Sequence, residues 1–373
     1  MIASRNSLLT TWRYFAGVLA VTVGFTGASA ADRVAPGASS RPISEKMFVP
    51  IGGIEQWITI KGQNGGNPVV LYLHGGPGNV MSPFADDFFK SWLRHFTVVM
   101  WDQRGAGRTY GKTGPSIEPT LTIARLAQDG IEVAEFLAKH LHHEKIILVG
   151  ASWGTTLGIH MARTRPDLFC AYVGTAQDVN VQGSFVASYP RLLTQARATA
   201  DKQAISELEE IGAPPWDSLQ KMLVYIRWAS TYEAKSAPTL SYGRSPEYSS
   251  VQDQANYRGG ETLSVWRFLG PNLSGDLMQV DLPALGTDFA IPIFIVQGEY
   301  DLRTPPDLAK SYFDRITAPQ KQFFLVPNTA HEFSPGSWDM LLKVLLEQVR
   351  PLCVNSAPNN GLDPRESGTD VTR

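Results

Sequence analysis

The sequence predicts an α/β protein, a mostly parallel, doubly wound sheet with a helical cap inserted late in the chain. Three observations predict it. Short continuous apolar runs at 68–73, 96–101, 146–149 and 291–296 alternate with helix-compatible segments. Strands covered on both faces lose the apolar/polar alternation of half-exposed ones, so such runs fit a parallel sheet. The run 146–149 passes directly into Gly150-Ala151-Ser152-Trp153-Gly154, and a helix-compatible stretch at 155–163 follows. Strand, tight turn and helix form the context in which a G-x-S-x-G serine is lifted clear of a sheet. Over 179–285 the rhythm breaks into Trp- and Tyr-rich helical segments, and then it resumes.

Taken in order, Arg5 and Arg13 precede an apolar run at 14–25, and Ala28-Ser29-Ala30 follows. This is the layout of a secretory signal peptide over 1–30, with an uncleaved anchor as its rival. It implies an exported enzyme with no stable membrane insertion once the signal is removed. Residues 31–42 read as a linker. Runs at 43–49 and 54–60 read as paired strands joined across 50–53. The strand at 68–73 opens into His74-Gly75-Gly76-Pro77-Gly78, and the strand at 96–101 into Asp102-Gln103-Arg104-Gly105. An amphipathic helix spans 121–140, and a strand at 170–175 ends shortly before Asp178. Residues 43–178 form the first part of the core, 179–285 the cap and 286–353 the second part. Within the cap, 218–235 is the clearest helix, and Pro214-Pro215 and Pro246 are breaks. The second part carries a strand at 291–296, a strand at 321–326 and a closing helix at 338–349. Residues 354–373 are polar and Pro/Gly-rich and read as a flexible tail.

Composition narrows the function. The 373 residues are 43% hydrophobic and 18% charged, with a net charge of −2. There is no electrostatic footprint for nucleic acid, so the expected partner is a small peptide or a small ester or amide. Cys170 and Cys353 are too few for a disulfide framework. They could pair in an exported chain, but the preferred reading is two buried apolar thiols. His140, His142 and His143 read as a solvated helix end rather than a metal site. The sequence leaves the oligomeric state open.

A serine alcohol needs a base to take its proton and a third group to orient that base. In this class of fold the chain order is serine, acid, histidine. Ser152, Asp301 and His331 satisfy it, and the last two each follow an apolar run by a few residues. Asp178 and Asp307 are the weaker alternative acids. Ligands in such sheets bind beyond the carboxyl ends of the strands, where these residues converge. The oxyanion donors should be the backbone N–H of Trp153 and one from Gly75 or Gly76.

His74-Gly75-Gly76-Pro77-Gly78, Asp102-Gln103-Arg104-Gly105 and Gly150-Ala151-Ser152-Trp153-Gly154 together resemble the proline iminopeptidase branch of the α/β hydrolases. Gly298-Glu299-Tyr300-Asp301 and Ala330-His331 match its acid and base stretches. The resemblance covers 43–349 and implies an α/β-hydrolase fold. It further implies a serine aminopeptidase that releases an N-terminal residue, often proline, without metal or cofactor. In that family cap carboxylates hold the substrate's free amino group, which makes Glu233 and Glu261 the candidates. A buried ammonium requires a paired anion in any case. Ala151 stands where the family usually has glycine, and Glu299 where it usually has a basic residue. Two rivals remain: a carboxylesterase or amidase on uncharged acyl substrates, and a non-catalytic binding protein on the same fold.

Overall fold

The computed structural model describes residues 41–354. The expected signal peptide, most of the linker and the C-terminal tail lie outside the described residues. The apolar runs form one eight-stranded sheet in the order β1-β2-β4-β3-β5-β6-β7-β8. Its strands are β1 (Ile43–Ile51), β2 (Ile54–Gly62), β3 (Val69–Leu73), β4 (Thr97–Trp101), β5 (Ile146–Ala151), β6 (Phe169–Thr175), β7 (Ile293–Gly298) and β8 (Lys321–Val326). The first pair is an antiparallel hairpin, and β1 runs through Pro50 and Ile51 to pair Ile51 with Ile54. From β4 to β8 every pairing is parallel.

Alternate residues of the inner strands supply two cores. Leu71, Leu73, Val99, Trp101 and Leu148 face one way. Val70, Tyr72, Met100, Ile147 and Val149 face the other. A period of two sends successive side chains to opposite faces, so a strand apolar throughout is covered on both. Each fully buried Val, Leu or Ile contributes about 1.5–3 kcal/mol, which outweighs any difference in local propensity.

Helices fill the connections: α1 (Ala85–Phe88), α2 (Gly107–Thr113), α3 (Ile123–His140) and α4 (Trp153–Thr164). Thr122 starts α3 by accepting from Arg125 N–H, a side-chain cap that replaces a missing intrahelical partner. His140, at the end of that helix, places Nε2 2.6 Å from Glu45 Oε2 on β1.

Between β6 and β7 lie α5 (Val181–Ala198), α6 (Lys202–Ile211), α7 (Leu219–Ser236) and α8 (Val251–Leu269). Asn180, Asp201, Ser218 and Ser250 cap their N-termini. Helix α8 is fastened over the loops that follow β3 and β4. Ser264 Oγ donates to Gly105 O at 3.1 Å, and Tyr257 hydroxyl donates to Asn79 Oδ1 at 2.5 Å. Gly260 permits the approach, because a Cβ there would lie 3.0 Å from Ala106 Cα.

The chain closes with α9 (Pro306–Arg315), α10 (Pro335–Val344), a π-helical turn at Leu345–Val349 and α11 (Arg350–Val354). That return overturns the reading of two separate thiols. Cys170 on β6 and Cys353 on α11 form a disulfide, with Cα atoms 5.3 Å apart. Cys170 points to the core face that α10 covers, and the closing helix carries Cys353 back to the same face. No helix among the described residues is long and apolar enough to cross a membrane.

The bridge closes a loop between positions 183 residues apart, so it restricts the unfolded chain strongly. Cys353→Ser should lower unfolding stability by about 2–4 kcal/mol, read as a lower urea midpoint. Reductant should lower the wild-type midpoint and leave that of the variant where it was.

Candidate active site

Ser152 sits where β5 turns into α4, with φ 51° and ψ −122°. Its N–H donates to Thr175 O on β6 at 3.0 Å. The turn fits only because residue 154 lacks a side chain. A Cβ on Gly154 would lie 2.1 Å from Leu73 O and 2.9 Å from His74 O.

Ser152 Oγ lies 3.0 Å from His331 Nε2. His331 Nδ1 lies 3.0 Å from each carboxylate oxygen of Asp301. Asp301 follows β7, and His331 lies between β8 and α10. The two loops are tied where Tyr300 N–H donates to Thr329 O at 2.8 Å. The buried Asp301 carboxylate also accepts from Thr304 N–H at 2.7 Å, Thr304 hydroxyl at 2.6 Å and Arg303 N–H at 2.9 Å. Burial works to raise its pKa. The charge and hydrogen bond of His331 and the two Thr304 donors outweigh that and hold it below the usual carboxylate range. At His331, burial and Arg303 pull the imidazole down. The Asp301 charge and hydrogen bond, helped by Glu233, leave it above the ordinary histidine value. An alcohol, a base and an orienting anion therefore stand in one hydrogen-bonded line that can pass a proton from Ser152 Oγ to His331.

Gly75 lies beside the serine, where a Cβ would be 3.4 Å from Ser152 Cβ. Gly76 has φ +120°, open to glycine and strained for any side chain. Trp153 opens α4, so its N–H belongs to the first turn, which has no intrahelical acceptor. Gln103 braces this group: its Oε1 accepts from Trp153 Nε1 at 3.1 Å, and its Nε2 donates to His74 O at 3.4 Å. Buried His74 donates from Nδ1 to Gly75 O at 2.9 Å and accepts Gln103 N–H at Nε2. Burial lowers its pKa to about 4, so it works as a neutral strut. Arg104 pairs with buried Asp129 on α3 at 2.6 Å and donates to Gly52 O at 2.7 Å. Spacing alone assigns no role to Gln103, His74 or Arg104. The available signal was their membership of the two motifs flanking the serine.

Above the serine opens a cavity of about 260 Å³. Gly76, Ser152, Trp153, Asp178 and His331 line its floor, and Phe185, Met222, Ile226, Val265 and Leu277 line its cap side. The two expected amine-binding carboxylates sit differently. Glu233 is buried, and its oxygens accept from Leu302 N–H at 2.8 Å and Arg303 Nε at 3.1 Å. The resemblance implies that it holds the substrate's amino group. The structure instead commits it to an internal ion pair, because α7 packs against the loop that carries Asp301. Glu261 is half-buried on α8, beside Gly78 and apart from the cavity lining. The alternative acid Asp307 pairs with Arg191 at the surface and does not line the cavity. Asp178 is buried in the cavity wall but makes no hydrogen bond to His331 among the described residues.

A family profile described as alpha/beta hydrolase fold matches residues 68–335. The chain belongs to the α/β-hydrolase family. It is similar to the Bacillus subtilis (strain 168) protein named "Probable aminopeptidase YbaC", with 30% identity over 291 residues covering 75% of this chain and 88% of that one. The proline iminopeptidase of Neisseria meningitidis serogroup A is 26% identical over 316 residues, covering 78% of this chain and 92% of its own. Among solved structures, the proline iminopeptidase of Mycobacterium smegmatis superposes with a TM-score of 0.55 at 19% identity, covering 83% of this chain and 97% of the other. At that identity the likeness shows the shared fold. Within the family the chain is a serine hydrolase of the proline iminopeptidase-like branch.

His331 can take a proton only as neutral imidazole, so activity should fall as pH drops through its folded pKa. Because that value is raised, the acidic limb of kcat/KM should lie above about 6.5, the ordinary histidine value. Asp301→Asn removes the raising charge, so the limb should move to lower pH while kcat falls by about 10³–10⁴-fold. A wild-type limb at or below the ordinary value, or one that the substitution leaves in place, would contradict this reading.

Proposed function

We propose that the chain is an exported serine aminopeptidase of the proline iminopeptidase type, acting on small peptides through an acyl-enzyme on Ser152. The observation that carries this is the Ser152–His331–Asp301 line at the floor of an open, largely apolar cavity. Pockets for drug-sized ligands run to about 300–1,000 Å³, so this smaller one suits a single residue. The relatives named aminopeptidase and proline iminopeptidase support the same class of reaction.

Ser152 Oγ would bond to the carbonyl carbon of the first residue as its proton passes to His331 Nε2. The resulting oxyanion would lie between the N–H of Trp153 and that of Gly75 or Gly76. When the tetrahedral centre collapses, the C–N bond breaks and His331 gives its proton to the leaving amine. Water then adds to the acyl carbon while His331 takes its proton, and return of that proton to Ser152 releases the amino acid. Asp301 fixes the imidazole tautomer and offsets its positive charge throughout.

Export is supported by two features: the signal-like start of the sequence and the Cys170–Cys353 bridge. Disulfides persist in oxidising compartments and are rare in the cytosol.

Ser152→Ala should reduce turnover by about 10⁴–10⁶-fold with an unchanged unfolding midpoint. A panel of prolyl- and alanyl-naphthylamides, their N-acetylated forms and short p-nitrophenyl esters tests the substrate class. Free-amine substrates should be preferred. Equal cleavage of the N-acetylated forms would sink the aminopeptidase reading and leave an esterase or amidase.

A further inference from the structure

With Glu233 already paired, the amine-binding anion must be sought on the cavity wall itself. Asp178 is the one carboxylate among the described lining residues that lies outside the Ser152–His331–Asp301 line. Strand register places it there. Ala151 pairs with Thr175 across β5 and β6, so the chain leaves β6 beside Ser152 and reaches Asp178 three residues later. One hydroxyl fixes the spacing: Thr155 Oγ1 donates to Ser152 O at 2.6 Å and accepts Asp178 N–H at 2.9 Å. Gln177 N–H donates to Gln297 Oε1 at 2.8 Å and anchors the segment from the other side.

The backbone is held in place, and the side chain is left short of a partner. Asp178 is 5% exposed, and its Oδ1 has no hydrogen-bond partner among the described residues. Burial pushes its pKa up to about 6, and the Asp301 charge adds to that. The His331 charge, Val179 N–H and the Thr156 hydroxyl act the other way. A buried carboxylate short of partners is costly, and a ligand cation relieves that cost. The cavity's own cation does not relieve it. Arg303 is engaged by Glu233 at 3.1 Å and by Glu332 at 2.8 Å. Glu233, Glu332 and Asp301 thus already act on that one guanidinium, and Asp178 is left to attract a positive ligand group.

We propose that Asp178 receives the α-ammonium group of the substrate and so requires a free N-terminus. This rests on the aminopeptidase reading above and names the residue that enforces it. The geometry suits the chemistry. In an N-terminal residue the ammonium is one carbon from the scissile carbonyl, and Asp178 is braced to Ser152 through a single threonine hydroxyl. A substrate with an acylated amine would bring no charge to Asp178 and would leave the carboxylate buried and unpaired.

The test is the ratio of kcat/KM for alanyl-2-naphthylamide over N-acetylalanyl-2-naphthylamide, in wild type and in Asp178→Asn. The ratio should fall by about 30-fold or more, mainly through KM, since that is the least that losing one partner of a buried ion pair costs. An unchanged ratio in the variant, with the wild-type preference intact, would overturn the role of Asp178 and leave the aminopeptidase reading standing. Equal losses in kcat for both substrates would also overturn it, because Asp178 would then be acting through His331. No preference in the wild type would overturn both readings together. Should Asp178→Asn show no cooperative unfolding transition, Asp178→Ser is read by the same ratio and the same outcomes.

Discussion

Ser152 holds a backbone conformation with φ 51° and ψ −122°, which a residue bearing a Cβ enters at a cost of about 1–3 kcal/mol. The rest of the site exists to keep it there. The serine's N–H is fixed to the neighbouring strand, and its carbonyl accepts from Thr155 N–H at 2.7 Å. Gly154 lies so close to the end of β3 that no larger residue fits. The strain aims the hydroxyl away from the sheet, toward His331. A relaxed turn would leave the same three side chains in the chain without bringing them into line.

Around that turn the polar groups fall into two sets with different work. His74, Gln103, Arg104 and Asp129 are buried and largely satisfied by one another. They lock the glycine loop to the turn after β4 and to α3, so the backbone donors near Ser152 are fixed before any substrate arrives. Donors fixed in advance need no reorganisation during reaction, which is where such groups gain their value. Asp301, Arg303, Glu233, Glu332 and His331 form the second set, tied by ion pairs that run from the cap to the base. Through Glu233 the cap bears directly on the Asp301 loop, so movement of α7 would be felt at the imidazole.

Much of this was legible in the sequence, because its signals are local. The elbow announces itself through a strand, small residues and a helix within about a dozen positions. Asp301 and His331 are legible because each follows an apolar run, and parallel strands deliver their ends to one edge. What stayed hidden depends on contacts between distant segments. Glu233 and Arg303 are 70 positions apart, and nothing in the spacing says that α7 lays one against the other. The Cys170–Cys353 bridge spans 183 positions and forms only because the closing helix returns over β6. The pattern ends the first strand at Val49 and assigns Pro50 and Ile51 to the connection, whereas β1 continues through both. In the sequence Asp178 resembles a spare triad acid because it follows a strand. Its place in the cavity wall emerged only with the register of β6 against β5.

His331 activates Ser152 rather than merely lying near it. Reaction with a fluorophosphonate, followed by mapping of the adduct, measures that directly, because only an activated serine alcohol attacks the phosphorus. One adduct per chain is expected, on the peptide carrying Ser152, with its formation slowed by orders of magnitude in His331→Ala. Labelling at another residue, or labelling of Ser152 at the same rate without His331, would contradict it.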